Sequence, residues 1–116
     1  MKKILITGGS GYIASHVADN LTRIGHKVII FDKIKSPYLS KKQIMFLGDI
    51  TDEKKILKLT KNIDVVYHFA AVADLYQANK NPYETIKTNI LGTLNILEAC
   101  RINKIKKIIL ASSIYA

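Results

Sequence analysis

A glycine-rich turn between an apolar run and an amphipathic segment constrains the fold more than any other feature of this chain. The apolar run covers residues 4–6, and the turn at residues 7–14 reads Thr-Gly-Gly-Ser-Gly-Tyr-Ile-Ala. This pattern predicts a buried strand, a tight turn and a helix. Gly8 permits the sharp turn, and Gly11 allows the backbone to approach a pyrophosphate, which the helix start attracts through unpaired N–H groups. The pattern predicts a dinucleotide site, with a purely structural glycine turn as the alternative.

An acidic residue extends this pattern one strand later. Residues 27–31 are predicted to form the second strand, and Asp32 follows about 20 residues after Gly11, the spacing of a ribose-binding acid. A carboxylate there accepts hydrogen bonds from ribose hydroxyls and repels a 2′-phosphate, which favours NAD over NADP. Lys33 and Lys35 are able to bind a phosphate, so NADP remains the less favoured alternative. For Asp32 itself, the alternative is a turn-forming acid at a strand end.

Length and cysteine usage narrow the class of protein. The 116 residues allow one modest domain with its own core. No apolar run approaches the roughly 20 residues that span a bilayer, and the N-terminal residues lack a secretory pattern. Cys100 is the one cysteine and lies in an apolar helical stretch, which predicts a buried, inert thiol. These features predict a cytoplasmic protein without a membrane partner.

The positive net charge says less about function than the glycine turn does. The chain has 18 basic and 9 acidic residues, for a net charge of +9. Its only arginines are Arg23 and Arg101, its lysines are scattered, and no aromatic residues interleave with a basic stripe. We therefore expect solvated lysines and no nucleic-acid partner, although a basic nucleic-acid-binding domain is one alternative class.

Predicted strands and helices alternate along the chain. The strands are expected at 2–7, 27–31, 44–47, 65–69 and 108–111, and the helices at 12–24, 52–61 and 82–101. Thr51 and Asn81 are the expected N-caps of the second and third helices. This alternation predicts an α/β fold, a Rossmann-type doubly wound parallel sheet with strand order 3-2-1-4-5. Ligands of such sheets bind at the carboxyl ends of the strands, between strands 1 and 4.

Three further features receive structural interpretations. His68 is predicted to be a packed strand histidine rather than an acid–base group. His16 is predicted to lie on a helix face without a metal, since no other ligand has suitable spacing. The long third helix carries an apolar stripe made of Ile86, Ile90, Leu94 and Leu97.

Several motifs together resemble one known family over essentially all of the chain. They are the turn at 7–14, Asp32, the Gly-Asp-Ile segment at 48–50, His-Phe-Ala-Ala at 68–71, Asn-Ile-Leu-Gly-Thr at 89–93, and the serines at 112–113. In this order the chain resembles the N-terminal part of an extended short-chain dehydrogenase/reductase of the NAD-dependent epimerase/dehydratase group. The resemblance implies that residues 1–116 form an NAD-binding Rossmann domain of an enzyme that transfers hydride between a nucleotide sugar and NAD.

The resemblance also implies roles for individual residues. Gly8, Gly11 and the backbone of Tyr12 and Ile13 would hold the pyrophosphate, and Asp32 the adenosine ribose. The remaining cofactor contacts would be Asp49 and Ile50 at the adenine, Ala70 and Ala71 near the nicotinamide-side ribose, and Asn89 supporting the site from beneath. Asn89 has an alternative role, which is to satisfy backbone groups.

For the reacting sugar group, the resemblance implies a catalytic serine after the fifth strand. Ser113 is preferred over Ser112, because family members place this serine four residues before a tyrosine. Paired serines also cap strand ends, which is the structural alternative. Ala73 stands where some sugar epimerases carry a lysine, which counts against that subgroup.

The family's Tyr-x-x-x-Lys pair is expected beyond Ala116. Three such spacings occur earlier, at Tyr38–Lys42, Tyr76–Lys80 and Tyr83–Lys87, and all precede the serine strand to which the family's pair is C-terminal. We therefore expect an incomplete domain that lacks its last strands and substrate part and is itself inactive, from a parent enzyme that is a homodimer. A non-catalytic NAD(P)-sensing protein on the same domain is the alternative function.

Overall fold

Five short strands form one parallel sheet in the computed structural model, which describes residues 1–113. Along the chain they are β1 (Lys3–Thr7), β2 (Lys27–Asp32), β3 (Ile44–Leu47), β4 (Val65–His68) and β5 (Lys107–Leu110). The order in the sheet is β3-β2-β1-β4-β5, and every neighbouring pair is parallel. The predicted Rossmann-type fold and strand order are confirmed, and the carboxyl ends of all these strands meet at one edge.

Helices connect the strands and cover both faces of the sheet. They are α1 (Tyr12–Arg23), α2 (Glu53–Leu59), α3 (Leu75–Lys80), α4 (Pro82–Ile86) and α5 (Gly92–Ile102), with a π-helical turn at Lys87–Leu91 between α4 and α5. The predicted third helix therefore exists, but the π-helical turn interrupts it. Helix α3 was not predicted. Its N-cap is Asp74, whose side chain accepts a hydrogen bond from the Tyr76 amide. No helix among residues 1–113 combines the length and apolar character needed to cross a bilayer.

Two apolar clusters hold the helices to the sheet. On one face Ala14 and Ala18 of α1 pack on Ile6 and Ile30. These alanines are small, so the helix backbone lies close to the strands. On the other face Ile56 of α2 and Ile96 of α5 pack on Leu5 and Phe31. Cys100 is buried in this second cluster, as predicted.

One local prediction, the Thr51 N-cap, was wrong, and the structure adds the direction that the apolar stripe of the third helix faces. The N-cap of α2 is Asp52, whose side chain accepts from the Lys55 amide, because the Thr51 amide and hydroxyl both donate to Asp49. The stripe of Ile86, Ile90, Leu94 and Leu97 is exposed, because the helix packs on the sheet through its other side.

Candidate functional site

A crevice of about 270 Å³ lies at the carboxyl ends of the central strands. Six residues predicted to contact a cofactor line it, namely Gly8, Gly11, Asp32, Ile50, Ala70 and Ala71. The topology explains this, because neighbouring strands β1 and β4 lead to helices on opposite faces of the sheet, α1 on one and α5 on the other. The crevice therefore lies where the topology predicted a ligand site.

The glycine turn leaves several backbone donors free beside the crevice. Gly8 has φ +69°, and a Cβ there would lie 2.7 Å from the backbone nitrogen of Ala70, so only glycine fits. Gly11 is the N-cap of α1 and provides no side-chain cap. Among the hydrogen bonds of residues 1–113, none uses the N–H groups of Tyr12, Ile13 or Ala14. The positive end of the α1 dipole and three donors are thus available to an anion.

Asp32 is held against this turn. Its Oδ2 accepts a hydrogen bond from the Ser10 amide at 3.0 Å, and its Oδ1 accepts from the Lys33 amide at 2.7 Å. Three turn amides are therefore already used within the protein, because the Gly8 amide donates to the Phe31 carbonyl and the Gly11 amide donates to the Gly8 carbonyl. Because Asp32 also lines the crevice, its carboxylate offers fixed acceptor oxygens to a polar ligand group.

Asp49 and Ile50 lie in the turn after β3, where Asp49 contacts both Thr51 and Lys33. Asp49 Oδ1 accepts from the Thr51 amide and hydroxyl, each at 2.9 Å. Its Oδ2 lies 3.3 Å from Lys33 Nζ. Partial burial raises the pKa of Asp49, but the hydrogen bonds from Thr51 and then Lys33 outweigh it, so the pKa lies below its usual value. The carboxylate is therefore ionised at neutral pH.

Helix α5 supports Ile50 from beneath. The buried Asn95 donates from Nδ2 to the Ile50 carbonyl at 2.9 Å. A Cβ on Gly92 would overlap the Ile50 side chain, so glycine lets α5 approach this closely. The position of Ile50 in the crevice wall thus depends on two residues more than 40 positions away, which sequence reasoning did not identify.

His68 connects β4 to β1 and α5. Its Nδ1 lies 2.6 Å from Thr7 Oγ1 and its Nε2 lies 2.9 Å from Thr93 Oγ1, while Thr7 Oγ1 accepts from the Ala70 amide at 3.2 Å. The buried Thr7 hydroxyl needs an acceptor for its proton, which assigns Nδ1 as acceptor and Nε2–H as donor. Burial lowers the pKa of His68 to about 4, so the ring is neutral at pH 7. His68 is a packed strand histidine, as predicted.

Asn89 fixes the backbone of Val72, a residue that lines the crevice. Its Oδ1 accepts from the Val72 amide at 2.7 Å, and its Nδ2 donates to the Val72 carbonyl at 3.0 Å. Asn89 lies in the π-helical turn. This arrangement satisfies backbone groups and supports the crevice at the same time, so the two predicted roles do not exclude each other.

The predicted catalytic serines lie at the same edge of the sheet. Ser112 and Ser113 follow β5 after one intervening residue, Ala111, and both are exposed. None of the tyrosines and lysines at the three rejected spacings lines the crevice. The position expected for the family's Tyr-Lys pair lies outside the described residues. Within residues 1–113, no group of three histidine, cysteine or acidic side chains is arranged to hold a metal ion.

Comparisons with known proteins agree with this geometry. The family model described as NAD dependent epimerase/dehydratase family matches residues 4–116. A UDP-N-acetyl-alpha-D-glucosaminuronate decarboxylase of Bacillus cytotoxicus is 40% identical over 118 residues, which cover 97% of this chain. A UDP-glucose 4-epimerase from Thermotoga maritima, solved with UDP-glucose, superposes with a TM-score of 0.92 at 34% identity over 96% of this chain. The epimerase from Stenotrophomonas maltophila, solved with bound NAD and formylated UDP-arabinopyranose, gives a TM-score of 0.92 at 28% identity over 99% of this chain.

The match covers only part of each relative. The chain spans 36% of the Bacillus decarboxylase and 38% of each of the two epimerase chains. It spans 17% of a trifunctional UDP-glucose 4,6-dehydratase/epimerase/reductase of Arabidopsis thaliana, to which it is 39% identical over 114 residues. The region shared with the decarboxylase and the two epimerases covers nearly all of the sheet and helices described above.

Proposed function

The chain belongs to the NAD-dependent epimerase/dehydratase family, and from this membership we propose that it is the N-terminal NAD-binding portion of an enzyme acting on nucleotide sugars. One observation carries the proposal. Gly11, the N-cap residue next to the free N–H groups of α1, lines the same crevice as Asp32, whose carboxylate is fixed by the Ser10 amide. An anionic pyrophosphate suits the helix start, and ribose hydroxyls suit the carboxylate.

The proposed cofactor is NAD rather than NADP. Gly8, Gly11 and the amides of Tyr12 and Ile13 would hold its pyrophosphate, and Asp32 would accept hydrogen bonds from the adenosine ribose. The support for NAD is the Asp32 charge, which disfavours a 2′-phosphate, and the NAD bound to the Stenotrophomonas relative. Bound NAD would supply the acceptor and donor for a hydride.

Among the other predicted contacts, Ile50, Ala70 and Ala71 line the crevice, whereas Asp49 and Asn89 adjoin residues that line it. Asp49 would accept from the adenine amino group and Ile50 would flank the ring, because both lie in the turn after β3. Ala70 and Ala71 would border the nicotinamide-side ribose, where their small side chains leave room. Asn89 would act indirectly, by fixing Val72 through its two hydrogen bonds.

For the parent enzyme we propose hydride transfer between a sugar carbon and NAD. Ser113, with Ser112 as the alternative, would hydrogen-bond the reacting hydroxyl or carbonyl, since both follow β5 at the crevice edge of the sheet. The named relatives include a decarboxylase, epimerases and a dehydratase acting on UDP-sugars, so a nucleotide sugar is the proposed substrate. Hydride transfer between the sugar and NAD is compatible with an overall isomerase or lyase reaction.

We also propose that the parent enzyme is a homodimer, assembled through a surface of this chain, and that it is cytoplasmic. The support for the dimer is the exposed stripe of Ile86, Ile90, Leu94 and Leu97, because apolar helix faces are normally covered. The support for the location is that Cys100 is the one cysteine, which fits a reducing compartment.

Calorimetric titration of the chain with NAD tests the cofactor proposal. We expect Asp32→Asn to weaken NAD binding by about tenfold, because a hydrogen bond to a charged group contributes roughly 1.5–3 kcal/mol. Asp74→Asn is the matched control, since Asp74 lies outside the crevice and asparagine caps a helix equally well. A wild-type chain that binds no NAD would contradict the proposed function. Equal weakening in both variants would contradict the role of Asp32.

A further inference from the structure

Lys33 is the one cationic residue among the described residues that line the crevice. Its backbone and side chain have different partners. The Lys33 amide donates to Asp32 Oδ1 at 2.7 Å, whereas its Nζ reaches Asp49 Oδ2 at 3.3 Å. The ammonium group that follows Asp32 in sequence is therefore paired with the turn after β3.

Asp49 is well placed to hold this ammonium group. Its other oxygen is fixed by the Thr51 amide and hydroxyl, so the carboxylate keeps its orientation. The same bonds keep its pKa low and its charge present at neutral pH. Lys35, two residues further along, has no ion pair in the described part of the chain and does not line the crevice.

We propose that the Lys33–Asp49 ion pair is a cofactor-selectivity device, which keeps the cation beside Asp32 from compensating a 2′-phosphate. The inference rests on the proposed function and deepens it. A 2′-phosphate needs a nearby lysine or arginine to offset the ribose-binding acid. While Asp49 holds Lys33, a 2′-phosphate faces Asp32 without that cation. Once Asp49 loses its charge, Lys33 is free to turn toward the phosphate.

The exposure of the pair sets the size of the effect. The side chains of Lys33 and Asp49 are 54% and 41% exposed. Such pairs are partly screened by water, so releasing Lys33 should change relative affinity by about fivefold.

The test is a comparison of NAD and NADP dissociation constants for the chain and its variants by calorimetry. We expect Asp49→Asn to shift the ratio of the two constants about fivefold toward NADP. The loss of an adenine contact cancels in this ratio, because both cofactors carry the same adenine. Adding Lys33→Met to Asp49→Asn should return the ratio to the wild-type value, whereas adding Lys35→Met should not.

Lys33→Met alone is a further variant that leaves Asp49 intact. This substitution removes both the ion pair with Asp49 and the cation that the pair holds. The ratio of the NAD and NADP dissociation constants should therefore stay within about twofold of wild type. An unchanged ratio in Asp49→Asn, or equal reversal by Lys35→Met, would overturn the ion-pair inference while leaving NAD binding established. Absence of binding of either cofactor to the wild type would instead overturn the proposed function, and this inference with it.

Discussion

At the scale of single residues, His68 shows how one side chain ties three elements together. Its ring bonds Thr7 of β1 and Thr93 of α5, and Thr7 in turn accepts from the Ala70 amide at the crevice. The arrangement requires a neutral ring, because Nδ1 accepts the Thr7 proton. Protonation of the ring would make Nδ1 a donor that points at the Thr7 hydroxyl, which is itself a donor. The hydrogen bond between them would be lost in a buried part of the protein. His68 therefore makes the stability of the fold depend on pH.

We expect the fold to lose stability as the pH falls below about 6.5. The pKa of His68 is about 4 in the folded protein against 6.5 for the free side chain, so the unfolded chain binds the extra proton between these values. The contribution of His68 to the free energy of unfolding is fully present above about pH 6.5 and decreases as the pH falls from about 6.5 to about 4. The total loss over this range is about 3 kcal/mol. Urea unfolding at about pH 7 and about pH 4.5 measures the change.

The control for this prediction separates His68 from the other titrating groups. His68→Gln should be less stable at neutral pH but should show a shallower loss toward acid. His16→Gln should keep the wild-type slope, because His16 is exposed on α1. Parallel acid slopes in wild type and His68→Gln would show that His68 does not cause the loss.

At the scale of elements, α1 and α5 end in the same hydrogen-bonded motif with different residues. In α1 the His26 amide donates to the Leu21 carbonyl around Gly25, which has φ +100°. In α5 the Ile105 amide donates to the Cys100 carbonyl around Lys104, which has φ +57°. Such C-terminal motifs favour glycine, because a Cβ is strained at positive φ. Substitutions at the two helix ends are therefore expected to change stability in opposite directions.

Gly25→Ala should destabilise the protein by about 1–2 kcal/mol, because alanine disfavours the left-handed conformation. Lys104→Gly should stabilise it by about 1 kcal/mol, because it removes the same strain. Nothing lies within 4 Å of a Cβ on Gly25, so the loss would come from the backbone and not from a clash. Chemical unfolding of both variants measures the changes. Shifts of the same sign would contradict this account of the helix ends.

At the scale of the whole molecule, the main feature is an apolar stripe that the described fold leaves uncovered. Ile86, Ile90, Leu94 and Leu97 are between 42% and 64% exposed, while Ile96 and Cys100 on the other side of the helix enter the core. A helix that is apolar on both sides is normally buried on both. This is the surface that we assign to the proposed homodimer.

Sedimentation equilibrium tests this assignment. We expect the wild-type chain to associate to twice its mass and Leu94→Lys to shift it toward the monomer, because a buried lysine would lack a partner. Leu75→Lys is the matched control, since Leu75 is 70% exposed and lies on α3, off the stripe. A monomeric wild type, or an equal effect of both substitutions, would contradict the dimer.

Sequence patterns were sufficient to predict the five strands in order, the glycine turn and the sheet topology, although not α3 or the π-helical turn. These follow from local periodicity, from glycine where the backbone must turn or approach closely, and from the resemblance carried by ordered motifs. The placement of Gly8, Gly11, Asp32, Ile50 and the two alanines at one crevice followed from strand ends meeting at one edge.

The groups that meet across that edge could not be predicted, because they come from distant parts of the chain. Thr7 and His68 are 61 residues apart, and Asn95 and Ile50 are 45 apart, so no local pattern pairs them. The Lys33–Asp49 pair joins two strand ends, and the π-helical turn at Asn89 accompanies its bonds to Val72. Periodicity found the stripe from Ile86 to Leu97 but not its direction, because a helix with two apolar sides turns one of them to the sheet by packing alone.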